Sequence, residues 1–238
     1  LTVQLKTIVG EAIADGIITA SPFLGYEPVR PKAVQKYLTA EELHRIMTTP
    51  LHRQTLYHVR DIFLFSCFTG ISYRDMCLLT KSNLCSAEDG TWWIKSARQK
   101  TKIEFEIPLL DLPLQILKKY SDTAPDDKLL PMYCNSMLNH YLKEIAQICH
   151  INRPLVFHQA RHNYGTHITL SLGVPIETVS RMMGHTSIST TQIYAQVMDT
   201  KVDEDMKRLR ATGFGNSIEL CEEDFTTKKK RKRKSQTV

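Results

Sequence analysis

Alternation of apolar and polar residues with a period of two, the mark of a half-buried strand, is concentrated at one place in this 238-residue chain. Trp92 to Ala97 and Ile103 to Ile107 alternate in this way and flank Arg98-Gln99-Lys100-Thr101-Lys102. The spacing predicts a hairpin that Pro108 ends. Almost everything else that is apolar recurs at helical spacing, so the fold class expected is mainly α with a small antiparallel β-sheet, an α+β domain. The apolar fraction of 42% and charged fraction of 24% are those of a chain that buries a core, which excludes fibrous and wholly disordered classes.

Helix signals punctuate the rest. Residues 1–20 carry Leu5, Ile8, Val9, Ala12 and Ile13 on one face and stop at Asp15-Gly16 and Ser21-Pro22. Pro22, Gly25, Pro28 and Pro31 then mark a linker over 23–37. Thr39-Ala40-Glu41-Glu42 is a capping box, and an apolar helix over 56–68 breaks at Thr69-Gly70. Ser72 opens a helix that ends near Leu79. Leu138, Tyr141, Leu142, Ile145 and Ile148 mark an amphipathic helix, and a further one is expected from His158 to about Leu172. Gly173-Val174-Pro175 opens the next, which Gly184 closes, and Ser187 begins one that carries Tyr194. Helix is expected to continue to about Arg210, with disorder beyond. The boundaries expected are 1–22, the closing helix of an upstream domain; 23–37, a linker; 38–212, the main domain; and 213–238, a flexible basic tail.

The net charge of +6 belongs to that tail. Residues 228–234 hold seven basic side chains, among them Lys228, Lys229, Lys230 and Arg231. Without them the count is 24 basic against 25 acidic. Such a run stays solvated and suits nucleic-acid phosphates, an import signal or simple solubility. No apolar run approaches the roughly 18 residues of a membrane-spanning helix. Six cysteines at 67, 77, 85, 134, 149 and 221 lack C-x-x-C and zinc-finger spacing, which points to a reducing compartment without a disulfide framework or structural metal.

Two short patterns could carry chemistry. His158 and Arg161 at i and i+3 share a helix face and can converge on one anion. Gly184-His185 follows, and nine residues after His185 comes Tyr194. Each alone reads as readily as a solvated surface pair or a core tyrosine.

Together, His158-Gln159-Ala160-Arg161 and Met183-Gly184-His185-Thr186-Ser187-Ile188-Ser189-Thr190-Thr191-Gln192-Ile193-Tyr194 resemble the signature of the tyrosine recombinase (phage integrase) family. Thr69-Gly70 with Asp75 resembles its first box, and Lys100-Thr101 its lysine hairpin. The likeness covers roughly 38–200 and is nearest in character to integrases of conjugative transposons. It implies the family's catalytic-domain fold and an enzyme that cleaves and rejoins DNA through a 3′-phosphotyrosine. Tyr194 would be the nucleophile. Arg161 would clamp the charge of the transition state. His158 and His185 would donate to the phosphate or move the tyrosine proton, and Lys100 would protonate the departing 5′ oxygen. Asp75 would orient these groups. No cofactor and no divalent metal are implied. The partners implied are double-stranded DNA and other protomers, as a tetrameric synapse, in the bacterial cytoplasm and away from any membrane.

The first box departs from the family pattern. Where Thr-Gly-x-Arg is usual, the chain has Thr69-Gly70-Ile71-Ser72. Ser72 makes a reasonable N-cap, and Arg74 is the expected substitute cation, with Arg98 and Lys102 next. Arg98, Lys100 and Lys102 would share one strand face if pairing were regular; Arg98 and Lys102 are otherwise expected to contact the DNA backbone. Two further readings stay open: a type IB topoisomerase with the same residue set, and a non-catalytic regulator using residues 173–195 as a helix-turn-helix.

Overall fold

The computed structural model describes residues 2–26, 37–125, 127–195, 206–207 and 211. The chain divides into two compact units, 1–36 and 37–238. In the first, α1 (Thr2–Ala14) is shorter than the expected 1–20 and ends where Gly16 takes φ 71°. A turn over Pro22–Gly25 follows, and Lys6 Nζ donates to the Tyr26 carbonyl (3.0 Å).

The second unit opens on α2 (Ala40–Thr48), with the Thr39–Glu42 capping box formed in both directions. Its centre is α3 (Gln54–Thr69). Ten of its side chains are buried, because α5, α6 and α7 pack around it. A helix enclosed on this many sides shows no one-faced pattern. Gly70 ends α3 at φ 69°, and a Cβ there would stand 2.3 Å from the Tyr164 ring. Only glycine meets both demands. Ser72 then caps α4 (Tyr73–Leu78).

The sheet is antiparallel in the order β1 (Leu84–Ser86), β2 (Trp92–Ala97), β3 (Glu104–Pro108), with Ile94 opposite Ile107 and Ala97 opposite Glu104. β1 is too short to display a period and is absent from the sequence expectation. So is α5 (Asp111–Tyr120), which buries Pro113, Ile116, Leu117 and Tyr120. The amphipathic helix is α6 (Asn135–Ile148). The stretch expected as one helix from His158 to Leu172 has three parts: α7 (His158–Asn163), a π-helical turn over Tyr164–Thr169 and a 3-10 turn over Leu170–Leu172. α8 (Ile176–Met182) and α9 (Ile188–Gln192) complete the unit. Tyr194 lies two residues past α9, not within it. The expected helix to Arg210 and the tail fall mostly or wholly outside the described residues.

Candidate active site

Arg161 sits one turn into α7 and is 5% exposed. Its guanidinium reaches three walls. Nη1 donates to the Gly70 carbonyl, and Nη2 to the Met183 carbonyl (2.6 Å) and to His185 Nε2 (3.0 Å). The end of α3, the end of α8 and the turn after it therefore meet on one cation. Burial and the neighbouring Arg98 charge bring its pKa down to about 10, with Tyr194 and Asp75 opposing. It remains protonated at neutral pH.

The tautomer of His185 follows from these contacts. Arginine has no acceptor, so Nη2 donates and Nε2 accepts. The ring proton is then on Nδ1, which donates to Thr191 Oγ1 at 2.7 Å. Burial, Arg161 and Arg98 all disfavour the imidazolium, and the pKa falls to about 4.

Tyr194 is 4% exposed and packs in a small apolar cluster with Tyr164, Val179 and Met183. Its backbone N–H donates to the Thr191 carbonyl (2.9 Å), which carries the α9 turn one step further. Its ring lies nearly parallel to His185 (centroids 6.0 Å, 15°) and edge-on to His162 (4.9 Å). The π-helical turn presents Gly165 to that ring, where a Cβ would stand 2.8 Å from Tyr194 Cγ. The Tyr194 side chain also lies near enough to Arg161 to favour its charged form. Isolated π-turns concentrate at functional sites, and this one sets the close approach of α7 and the tyrosine.

The hairpin supplies the next member. Its five-residue turn does not continue the strand pairing: Arg98 N–H donates to the Ile103 carbonyl, Lys102 N–H to the Arg98 carbonyl, and Lys102 takes φ 58°. The three basic residues therefore do not share a strand face as expected. Lys100 is exposed at the tip and Lys102 is exposed on the far arm. Arg98 turns inward, its stem crossing Gly184, where a Cβ would stand 2.8 Å from Arg98 Cγ. Gly184 also holds φ 60°, so the closing turn of α8 requires glycine twice over.

Asp75, 4% exposed, ties this arm to the first box. Oδ1 accepts from Gln99 N–H (3.0 Å), and Oδ2 accepts from Ser72 Oγ (2.6 Å) and pairs with Arg98 Nε at 3.4 Å. Ser72 thus caps α4 and steadies the carboxylate. Ser72, Arg74, Arg98, His158 and Arg161 line one open cleft of about 330 Å³. Arg74 and His158 are exposed at it, while Arg98 lies deeper, near enough to Arg161 and His185 to depress both pKa values. Of the first-box substitutes named from sequence, Arg98 has the inner position and Arg74 the outer one.

Sequence reasoning missed Thr191 and Gly165 as neighbours of the site. Their signals, a threonine three before Tyr194 and a glycine four after Arg161, have no meaning until the π-turn and α9 are placed. Lys228, Lys229, Lys230 and Arg231 lie outside the described residues. No group of three metal-ligating side chains occurs among the described residues.

Residues 36–201 match the phage integrase family. Tyrosine recombinase XerD of Listeria monocytogenes serotype 4b (strain F2365) is 26% identical over 222 residues, covering 86% of this chain and 73% of that protein. Tyrosine recombinase XerA of Pyrococcus furiosus is 28% identical over 196 residues, covering 76% and 64%. Among solved structures, XerA recombinase superposes with a TM-score of 0.59 at 21% identity, over 80% of this chain and 69% of that one. The Tn1549 transposon integrase in complex with a circular intermediate DNA gives 0.61 at 17%, over 86% and 76%. The fold is the same in both. With the family matched across more than half its length, the chain belongs to the phage integrase family of tyrosine-type site-specific recombinases.

Proposed function

We propose that this domain cleaves and rejoins duplex DNA by attack of the Tyr194 hydroxyl on a scissile phosphate held by Arg161, Arg98 and His158, with His185 receiving the tyrosine proton. One observation carries the reading: a buried guanidinium donates to His185, and the Tyr194 ring lies nearly parallel to that same histidine, so cation, base and nucleophile meet. Two neighbouring cations, Arg98 and Arg161, repel one another, and the single Asp75 carboxylate offsets this only in part. A phosphodiester relieves that repulsion, and its transition state, richer in charge on the non-bridging oxygens, relieves it further. Each such preorganised donor contributes about 10²–10³ in rate.

In the forward step the Tyr194 oxygen bonds to phosphorus and the bond to the 5′ oxygen breaks. Lys100 gives that oxygen its proton. The strand is left as a 3′-phosphotyrosine, and attack by the 5′ hydroxyl of a partner strand reverses the chemistry without an external energy source. Arg98 takes the place of the first-box arginine, entering from the hairpin instead of from the turn at Ser72, with Asp75 holding it. Arg74, at the mouth of the cleft, serves the flanking backbone.

The biological role we propose is integration and excision of a mobile element by a tetrameric synapse of protomers on DNA in the bacterial cytoplasm. The fold shared with the Tn1549 transposon integrase supports it. Residues 1–22 fit the closing helix of an upstream DNA-binding domain, 23–37 a linker, 38–212 the catalytic domain, and 213–238 a basic tail.

The test uses nicked duplexes with a randomised core, incubated with the protein and denatured. Strands trapped covalently and sharing a sequence motif are expected; joined products from two partner duplexes then separate recombination from DNA relaxation. Absence of any trapped strand, with DNA binding intact, contradicts the proposal.

A further inference from the structure

We propose that Thr191 is a positioning residue that, with Arg161, holds the proton of His185 on Nδ1, leaving Nε2 as the base that receives the Tyr194 proton. The inference rests on the strand-cleavage reading above. Three contacts carry it. Thr191 is fully buried, and its Oγ1 stands 2.7 Å from His185 Nδ1. His185 Nε2 stands 3.0 Å from an Arg161 nitrogen that can only donate. Tyr194 is tied to Thr191 through its own backbone N–H, and its ring lies nearly parallel to His185 with centroids 6.0 Å apart. One helical turn therefore holds the residue that orients the base and the residue that bears the proton.

The consequence is chemical. A histidine free to choose its tautomer spends part of its time with Nε2 protonated, and then it has no lone pair to offer Tyr194. Arg161, which can only donate, occupies the Nε2 lone pair, and Thr191 Oγ1 accepts the proton that this leaves on Nδ1, so the two together disfavour that state. When a phosphate enters and draws Arg161 to itself, Nε2 loses the donor that occupied it. The negative charge also offsets the Arg161 and Arg98 charges that oppose the imidazolium. The Tyr194 O–H bond then breaks as the Nε2–H bond forms, and the phenolate oxygen attacks phosphorus. The imidazolium left behind donates Nε2–H to a non-bridging oxygen until the proton returns in the religation step. His185 is thus an acceptor first and a donor afterwards, with Thr191 Oγ1 holding the Nδ1 proton throughout.

The other charged groups around His185 do not compete for the role. Arg161 and Arg98 are on its inner side. Glu104, Glu177 and Arg181 share with it a shallow groove that Tyr194 does not line.

The experiment has two arms. In the free protein, nitrogen-15 NMR of labelled histidine reads the tautomer directly: Nδ1–H is expected for His185, assigned by its loss in His185→Gln. Nε2–H there overturns the proposal without reference to any DNA substrate. In the second arm, Thr191→Val removes the acceptor at nearly constant volume and Thr191→Ser keeps it. Valine is expected to slow adduct formation on a nicked duplex at least about tenfold with unchanged DNA affinity, and serine to recover most of the loss. A valine variant that reacts at the wild-type rate overturns the proposal. Failure of the wild type to form adducts counts against the cleavage reading instead, and the NMR arm still decides the tautomer.

Discussion

Arg98 Nε and Asp75 Oδ2 stand 3.4 Å apart, joining the hairpin to the first turn of α4 beside Arg161. On the proposed reading the pairing answers the absence of an arginine at Ser72, since the carboxylate holds a cation that comes from another element. Arg98 Nε has no hydrogen-bond acceptor among the described residues, so the ion pair steadies the side chain without saturating its donors. Arg98→Ala is expected to slow adduct formation by about 10² or more, and Arg74→Ala by less than about tenfold. Adding Ser72→Arg to Arg98→Ala should recover part of the loss, because Ser72 lines the same cleft. Reversed sensitivities of Arg98 and Arg74 would assign the substitution to α4 instead.

Lys100, exposed at the hairpin tip, is expected to act on the leaving group alone. Lys100→Ala should reduce cleavage of an ordinary duplex by about 10²–10⁴, the range of general-acid catalysis. A bridging sulfur in place of the 5′ oxygen departs without a proton, so that substrate should react with the variant at close to the wild-type rate. Equal impairment on both substrates would exclude Lys100 as the acid and turn attention to Lys102.

The depressed pKa of His185 makes stability depend on pH. An unfolded imidazole titrates near 6.5 and the folded one near 4, so between these values the unfolded chain binds the proton and the folded domain does not. Stability is complete above pH 6.5 and is lost as pH falls toward 4. His58 and His167, also lowered by burial, act in the same direction. Urea unfolding across this window should show a shallower pH slope in His185→Gln, by up to about 1.4 kcal/mol per pH unit. Parallel slopes would mean that His185 titrates normally.

Residues 228–234 are expected to add affinity without sequence preference. Truncation after Phe225 should reduce the slope of log K against log salt by about 0.9 for each phosphate that the run neutralises, weakening all duplexes alike. An unchanged slope would assign the run to localisation or solubility.

Much of this architecture was legible in the chain itself. The capping box at Thr39–Glu42, the break at Gly70, the Ser72 cap, the hairpin arms and the Gly184 stop all depend on local chemistry, and local chemistry is written in adjacent residues. β1 was not legible, because three residues cannot show a period, and the π-turn after Asn163 looks like ordinary helix in sequence. The site divides in the same way. His158, Arg161, His185 and Tyr194 stand out through their spacing. Arg98 does not, because an arginine at a hairpin base has the same appearance whether it faces solvent or a buried guanidinium. What turns it inward is the Asp75 carboxylate 23 positions earlier and the bare Cα of Gly184 far downstream, a relation that only the folded chain contains.

The central claim is that Tyr194 becomes covalently bound to DNA, and mapping the adduct by mass spectrometry tests it most directly. A nicked duplex incubated with the wild-type protein, digested to peptides and nucleotides, should yield a 3′-phosphoryl nucleotide on the peptide containing Tyr194. Tyr194→Phe should yield none while binding the same duplex with nearly unchanged affinity, since only the nucleophilic oxygen is gone. An adduct on any other residue, or one that persists in Tyr194→Phe, would contradict the account.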